Sequence, residues 1–254
     1  MTPRRIAFLV AALALAGCGG RTSTPAPLTS TAAPAPTPTT TSAPAGAVRV
    51  YFLRRGSVAP VLRRMTAATD AVARAAIEQL LAGPRPSEHL VTAIPPETTL
   101  VRLTLGDGLA SVRLSHHLPR AAQAQVVYTL TQFPHVAAVS VDGGPGRDRS
   151  FFEDETPQIL VESPLPGETV TTPLRLQGTA NTFEATFQVD VLDGAGHTLA
   201  SDFVTATSGS GQRGTFDKTL DVDGPAGPIT LVAYEVSAAD GSRLHEVEIP
   251  LTLR

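Results

Sequence analysis

Alternating apolar positions mark the start of a folded region near residue 47. Val48, Val50 and Phe52 occupy every second position, with Arg49 between the first two. A period of two is typical of a strand that buries one of its faces. The sequence therefore predicts a half-buried strand over about residues 48–53.

Helical spacing follows this strand. Apolar residues recur three or four positions apart between Ala73 and Leu81, which predicts an amphipathic helix. Asp70 precedes the run and is a suitable N-cap. Gly83 and Pro84 should end the helix, because glycine accepts a left-handed backbone and proline cannot continue the hydrogen bonding.

A hairpin and a second helix complete the first pattern. Two alternating runs, residues 101–105 and 110–114, flank Asp107-Gly108, and both turn residues accept positive φ. A second helical stripe runs from about residue 121 to Phe133, and a last strand covers residues 136–141. The order β-α-β-β-α-β predicts a small α+β domain over residues 47–143, with its helices on one face of a sheet.

The rest of the chain has no helical period. Residues 144–156 are polar and predict a linker, whereas residues 157–254 contain short strand-like runs separated by Asp-Gly and Pro-Gly turns. Runs of this kind favour an all-β, immunoglobulin-like sandwich. The predicted strands are 158–162, 174–178, 183–192, 215–222, 229–237 and 245–253.

The first residues of the chain predict an export signal. Two arginines precede an apolar stretch of residues 6–16, which is too short to span a bilayer. It ends in Leu15-Ala16-Gly17-Cys18, which resembles the lipobox of bacterial lipoproteins and contains the only cysteine. The resemblance implies removal of residues 1–17 and a lipid on Cys18, and hence the outer face of the cell membrane. The alternative is an ordinary secretory signal with a leftover thiol.

Residues 18–46 would then be a tether. They consist almost entirely of Ala, Pro, Thr, Ser and Gly, a composition without an apolar face to bury, so we expect them to be disordered. After cleavage the chain is mildly acidic, with 18 basic and 23 acidic residues. It has no basic block of the kind that indicates nucleic-acid binding.

Two stretches carry a family resemblance. Residues 80–84, Leu-Leu-Ala-Gly-Pro, and residues 128–133, Tyr-Thr-Leu-Thr-Gln-Phe, resemble the GerMN domain of sporulation and spore germination proteins. Pro173 to Ala180, Phe183-Glu184 and Glu235 to Gly241 resemble the immunoglobulin-like domain of bacterial spore germination proteins. The resemblance implies assembly in the cell envelope, including a homo-oligomer as one option, and it supplies no catalytic residue. Its motif positions are Pro60, Gly83, Pro84, Gly108, Tyr128, Thr129, Phe133, Phe183 and Glu184.

Most of these positions have a simple structural interpretation. Tyr128 and Phe133 should lie in the core, with the Tyr128 hydroxyl at its rim. Glu184 follows an aromatic residue that we expect to be buried. It could cap backbone amides or lie on a binding edge.

No residue pattern indicates catalysis, a metal or a cofactor. The six histidines lack the spacing of a zinc site, and the acidic run of residues 153–155 lacks the spaced oxygens of a calcium loop. No nucleophile elbow or phosphate-binding loop occurs.

Three functions are therefore weighed. The favoured one is a non-enzymatic, membrane-anchored lipoprotein that binds envelope proteins, with a link to sporulation or germination. The second is a module that binds cell-wall glycan or a small ligand. It is disfavoured because tryptophan is absent and most aromatics of the second domain should be core. The third, a hydrolase of envelope polymers, would need distant carboxylates to converge.

Overall fold

The computed structural model describes residues 46–65 and 71–254. The predicted lipobox residues Leu15, Ala16 and Gly17, the lipidation site Cys18 and the predicted N-cap Asp70 lie outside these residues. Within them, no helix has the length and apolar character needed to cross a membrane.

The first domain contains two small sheets and two helices. The hairpin β1–β2 forms one sheet, and the other has the strand order β3-β4-β5, with β5 parallel to β4. Its elements are β1 (Ala47–Arg54), β2 (Ser57–Arg64), α1 (Val72–Leu81), β3 (Leu100–Gly106), β4 (Leu109–Leu114), α2 (Arg120–Leu130) and β5 (Ala138–Val141).

The α+β class is as predicted, but strand β2 was missed. The observed order is β-β-α-β-β-α-β, and the first two strands form a sheet of their own. β2 was missed because Pro60 lies in its middle, opposite Tyr51. Proline has no backbone N–H and cannot donate a hydrogen bond to a sheet, so a run that contains it is not predicted as a central strand.

The predicted turns have the expected backbone. Asp107 and Gly108 have φ values of 51° and 77°, and they join β3 to β4. Helix α1 ends at Leu81, and Gly83 follows with φ 84°. Each of these features depends on adjacent residues, so the sequence alone is sufficient to predict it.

Helix α2 is buried on nearly all sides. Eight of its eleven residues are buried, including Gln125 and Thr129. The Gln125 amide donates to Tyr51 O at 3.1 Å and accepts from Ala93 N at 2.9 Å. The buried polar groups of this helix thus connect it to the neighbouring strand and loop, as buried polar groups must.

The second domain is a sandwich of two sheets. One has the order β10-β9-β12-β13-β7 and the other β11-β8-β6. Phe187 and Phe216 meet edge to face in its core, with ring centroids 5.0 Å apart. The strands are β6 (Ile159–Ser163), β7 (Thr169–Val170), β8 (Leu174–Ala180), β9 (Thr186–Asp193), β10 (Thr198–Thr205), β11 (Gly214–Leu220), β12 (Gly227–Val236) and β13 (Arg243–Leu253).

The sandwich confirms the predicted class, with two differences in its strands. β7 and β10 were missed, because β7 has two residues and β10 buries only Val204. The predicted strand 183–192 begins only at Thr186, because Phe183–Ala185 form a short 3-10 turn.

The segment predicted as a linker joins the two domains but is itself folded. A 3-10 helix covers Arg149–Glu155 and places Phe152 in the core of the first domain. On β6, Ile159 and Val161 face the sandwich core, whereas Leu160 belongs to the core of the first domain. The two domains therefore share an apolar contact.

Candidate functional site

The sequence-predicted positions fall into separate parts of the fold. Pro60 is buried in β2, Gly83 and Pro84 follow α1, Gly108 is in the β3–β4 turn, and Phe133 packs against the core. All five have structural roles at these places. Two pairs remain: Tyr128-Thr129 lies at the domain junction, and Phe183-Glu184 lies on the sandwich.

At the junction, Tyr128 and Thr129 meet strand β1. Thr129 Oγ1 accepts from Tyr51 N at 3.2 Å, and the Tyr51 and Tyr128 ring centroids are 5.3 Å apart. The Tyr128 hydroxyl is buried rather than at the rim, 2.7 Å from Thr156 Oγ1. β1 is consequently buried on both faces, and the prediction of a half-buried strand is wrong for Tyr51.

Arg149 connects this pair of tyrosines to the second domain. Its guanidinium lies 4.7 Å from the Tyr128 ring centroid and 5.4 Å from that of Tyr51. Arg149 Nη1 donates to Glu162 Oε1 at 2.8 Å, and the Tyr51 hydroxyl donates to the same oxygen. We call Tyr51, Tyr128, Arg149 and Glu162 the junction cluster.

The junction cluster keeps its charges. Burial alone would raise the pKa of Glu162, but Arg149, Tyr51 and Arg49 outweigh it and hold that pKa below its usual range. Burial, with the nearby Glu162 carboxylate, raises the pKa of Tyr51 far above its usual range. The cluster is therefore an ion pair bonded to a neutral phenol, in which Arg149 and Glu162 expose only 25% and 14% of their side chains.

Sequence reasoning missed Arg149 and Glu162. Arg149 lies in a polar run that was assigned to the linker, and Glu162 occupies an outward position of a sandwich strand. The sequence contains one signal of this environment. Leu160 is an apolar residue between two others on β6, and three apolar residues in a row indicate a strand that is covered on both faces.

A second polar contact joins the domains beside the cluster. Arg213 Nε lies 2.9 Å from Glu153 Oε2, and the Asn181 amide donates to Glu153 Oε1 at 2.8 Å. Arg213 also donates to Pro157 O at 2.8 Å. Burial would raise the pKa of Glu153, but Arg213 and Asn181 hold it below its usual range. The linker is thus tied to the sandwich next to residue 182.

The residues that follow, Thr182–Ala185, form what we call the Phe183 loop. Phe183 is 68% exposed, so the expectation that this aromatic is buried is wrong. Glu184 and Ala185 both have positive φ, 53° and 59°, a conformation that costs about 1–3 kcal/mol per non-glycine residue.

Contacts on both sides hold this strained backbone. Phe183 N donates to Glu235 Oε1 at 2.7 Å, and Glu184 N donates to Ser210 Oγ at 3.1 Å. A Cβ on Gly209 would lie 2.4 Å from Thr182 O, so only glycine fits there. The turn is therefore imposed by tertiary contacts that the local sequence does not reveal.

The Glu184 side chain does not cap the turn. The Glu184 carboxylate is exposed, and it has no hydrogen bond or ion pair to any residue within the described ranges 46–65 and 71–254. Of the two interpretations considered from sequence, the backbone cap is therefore excluded within this part of the chain. The loop presents an aromatic ring beside a carboxylate.

The aromatics of the sandwich divide into two groups. Phe187, Phe216 and Tyr234 are buried, as expected, whereas Phe203 on the edge strand β10 is 65% exposed, like Phe183. Two exposed rings weaken the sequence argument against a ligand that stacks on aromatic side chains.

Two clefts lie on the described part of the first domain. One of about 260 Å³ lies between α1 and β3, and another of about 140 Å³ lies along α2 and β5. Neither is lined by a carboxylate. Within residues 46–65 and 71–254, no group of three or more His, Cys, Asp or Glu side chains is placed to hold a metal ion.

Comparison with protein families assigns both domains. Residues 49–145 match the family described as sporulation and spore germination, and residues 158–242 match the immunoglobulin-like domain of bacterial spore germination. The resemblance drawn from residue stretches of the sequence is thereby confirmed for both domains. No curated protein sequence matches the chain.

Solved structures give weaker similarities. The tandem GerMN domains of the sporulation protein GerM from Bacillus subtilis share 24% identity over 41% of this chain and 44% of theirs, with a TM-score of 0.34. The first GerMN domain of that protein shares 21% over 39% of this chain and 84% of its own, with a TM-score of 0.32. A putative lipoprotein from Clostridium perfringens shares 19% over 39% and 75%, with a TM-score of 0.26. The chain spans less than half of the tandem structure.

Proposed function

We propose that this chain, in which a sporulation and spore germination domain precedes an immunoglobulin-like domain of bacterial spore germination, is a lipid-anchored adaptor of the cell envelope. In this proposal it works outside the cell membrane, has no enzymatic activity and binds other envelope proteins. The association of both domains with spore germination supports a role in that process.

The Phe183 loop is the observation that carries the binding role. An exposed aromatic and a carboxylate without a partner in the described chain lie on strained backbone that neighbouring loops hold in place. Strain of this kind is concentrated at ligand-contacting sites, and aromatic residues are enriched among the residues that dominate binding energy. The junction cluster would keep this loop in a fixed position relative to the first domain.

The non-enzymatic part is supported by where the charged groups lie. Glu162, which is partly enclosed at the domain junction, is bonded to Arg149 and Tyr51 and lines neither cleft. A hydrolase needs an acid, base or nucleophile that reaches a substrate. Turnover of purified cell-wall polymer by the chain would contradict this part of the proposal.

The anchor is supported by the sequence around Cys18. A diacylglycerol on Cys18 would supply two acyl chains, which give stable membrane attachment where one is marginal. In cells, Cys18→Ala should move the protein from the membrane fraction to the soluble exported fraction. Unchanged membrane fractionation would contradict lipid anchoring.

The binding role is tested by placing a photoreactive residue at position 183 in cells. Crosslinking there should yield defined protein products. The same residue at Val91, an exposed apolar position of the first domain, is the matched control and should yield few. Equal yields at the two positions, or capture of cell-wall material alone at position 183, would count against a protein partner.

A second candidate is a module that binds cell-wall glycan. It is favoured by Phe183 and Phe203, the two exposed rings of the sandwich, since sugars stack on exposed aromatic faces. The chain should then sediment with purified cell wall, and the double variant Phe183→Ala/Phe203→Ala should lose this. Phe151→Ala, which removes a partly exposed ring from the first domain, is the control.

A further inference from the structure

Strand β3 is an open edge of the first domain. It pairs with β4 on one side and with no other strand of the described residues 46–65 and 71–254, whereas β5, at the other edge of the sheet, is covered by a bridge between Val139 and Arg147. An uncovered edge presents N–H and C=O groups to which another strand can bond. The seven residues of β3 include no proline that would block such pairing.

The register of the sheet shows which backbone groups of β3 point outward. Val112 O on β4 accepts from Asp142 N on the β5 side, so the backbone groups of Val112 point away from β3. Leu103 lies opposite Val112, and residues along an antiparallel pair alternate between bonded and non-bonded positions. The N–H and C=O groups of Leu103 and Leu105 therefore point to the open edge, and those of Thr104 point to β4.

The side chains of β3 alternate between the two sides of the sheet. Leu103 and Leu105 lie opposite buried residues of β4, on the side that faces the helices. There they line the cleft of about 260 Å³ together with Ala73 and Arg74 of α1. Leu105 is 51% exposed, so one apolar wall of this cleft is uncovered. A strand added at the edge would place every second side chain beside these leucines, which favours apolar residues at those positions.

The opposite side of the sheet carries positive charge. Arg102 on β3 lies directly opposite Arg113 on β4, and both are exposed. Like charges in this arrangement destabilise a sheet, and neither guanidinium has a hydrogen bond, ion pair or ring contact among the residues that the structure describes. The remaining side chains of an added strand fall on this side, where carboxylates would offset the repulsion between the arginines.

We propose that the open edge of β3 binds an extended segment of another envelope protein, in which apolar residues alternate with acidic ones. The segment adds a strand to the sheet, with its apolar side chains beside Leu103 and Leu105 and its carboxylates beside Arg102 and Arg113. Backbone hydrogen bonds supply affinity, and the alternation supplies specificity. The inference rests on the proposed function for the class of partner, and it adds a binding site separate from the Phe183 loop.

The test is photo-crosslinking of the full chain in cells, with a photoreactive residue in place of Thr104, which is exposed on the arginine side. Mass spectrometry of the product should identify a segment of another protein in which apolar and acidic residues alternate. Arg102→Glu/Arg113→Glu should reduce the yield by about tenfold or more, because like charges then face each other. Arg55→Glu/Arg64→Glu makes the same change at two exposed positions of the β1–β2 hairpin and should leave the yield unchanged.

A proline variant tests the backbone hydrogen bonds. Leu105→Pro removes an N–H that points to the open edge, and proline is tolerated on edge strands. It should reduce the yield by about tenfold, because a carbonyl of the partner then loses its donor. Leu105→Ala shortens the same side chain but keeps the N–H, so this matched control should retain several times more product. Thermal unfolding of both variants shows whether the fold is intact, and the charge variant tests the same contact independently.

Several outcomes would overturn the proposal. Equal losses in Leu105→Pro and Leu105→Ala would exclude strand addition, and equal losses in the two arginine pairs would exclude charge recognition at this edge. A captured segment without the alternation, a product formed with a second copy of this chain, capture of lipid or cell wall alone, or the absence of any product would also overturn it. Capture of protein at position 183 but not at Thr104 would exclude the β3 site and still support the adaptor role.

Discussion

The junction cluster and the Phe183 loop place aromatic and acidic side chains in opposite environments, one enclosed and the other exposed to solvent. In the cluster, the buried Tyr51 hydroxyl and the half-buried Glu162 carboxylate are satisfied by each other and by Arg149. In the loop, Phe183 and Glu184 face solvent, and the strain lies in the backbone that carries them. The same residue types therefore hold two domains together in one place and remain available for binding in the other.

The largest expected effect comes from breaking the junction cluster. Arg149→Met removes the cation from a carboxylate that stays enclosed, so the free energy of unfolding should fall by about 3–5 kcal/mol. Urea denaturation of the purified chain measures it. Arg55→Met, in the exposed β1–β2 turn, is the control and should change it by less than about 0.5 kcal/mol. An equally small change in Arg149→Met would show that the cluster does not stabilise the fold.

The pH dependence of stability tests the same ion pair between Arg149 and Glu162. Burial opposes ionisation of Glu162, but Arg149 and Tyr51 hold its folded pKa below the usual range. Its stabilising contribution is therefore complete above the unfolded pKa, about 4.3, and is lost as pH falls through the lower folded value. Between neutral pH and about pH 3, the wild-type chain should lose more stability than Glu162→Gln. Parallel pH profiles would contradict this assignment.

A smaller effect is expected at the Tyr128 hydroxyl. Tyr128→Phe keeps the ring against Tyr51 and Arg149 and removes one hydrogen bond, to Thr156, which still donates to Phe152 O. The free energy of unfolding should fall by about 0.5–1.5 kcal/mol, measured by urea denaturation. A loss as large as that of Arg149→Met would mean that the hydroxyl, and not the ion pair, holds the junction.

The smallest effect on stability belongs to the loop. Phe183→Ala should change the free energy of unfolding by less than about 0.5 kcal/mol, because the ring packs little of its surface. Phe187→Ala, four residues along and buried, should cost about 3–5 kcal/mol. Comparable losses in the two variants would show that Phe183 is part of the core after all.

The same comparison shows which features of the fold and of the site can be predicted from the sequence. The Asp107-Gly108 turn and the end of α1 were predictable, because each depends on two adjacent residues. Arg149 and Glu162 were not, since their environment exists only when the two domains pack together. Phe183 seems to continue the alternation of Phe187, and the strand begins later because contacts with Glu235, Ser210 and Gly209 hold the Phe183 loop. Tertiary contacts between distant segments therefore decided both parts of the site.

The most direct test compares partner capture with stability in one experiment. A photoreactive residue at Gln212, an exposed position of the neighbouring loop, is introduced into the wild-type chain and into Phe183→Ala, and crosslinked products and thermal unfolding are measured for both. Recognition by the loop predicts that Phe183→Ala loses about tenfold of the captured protein, as expected for a dominant contact residue, at an unchanged unfolding temperature. Undiminished capture by the Phe183→Ala chain would contradict it.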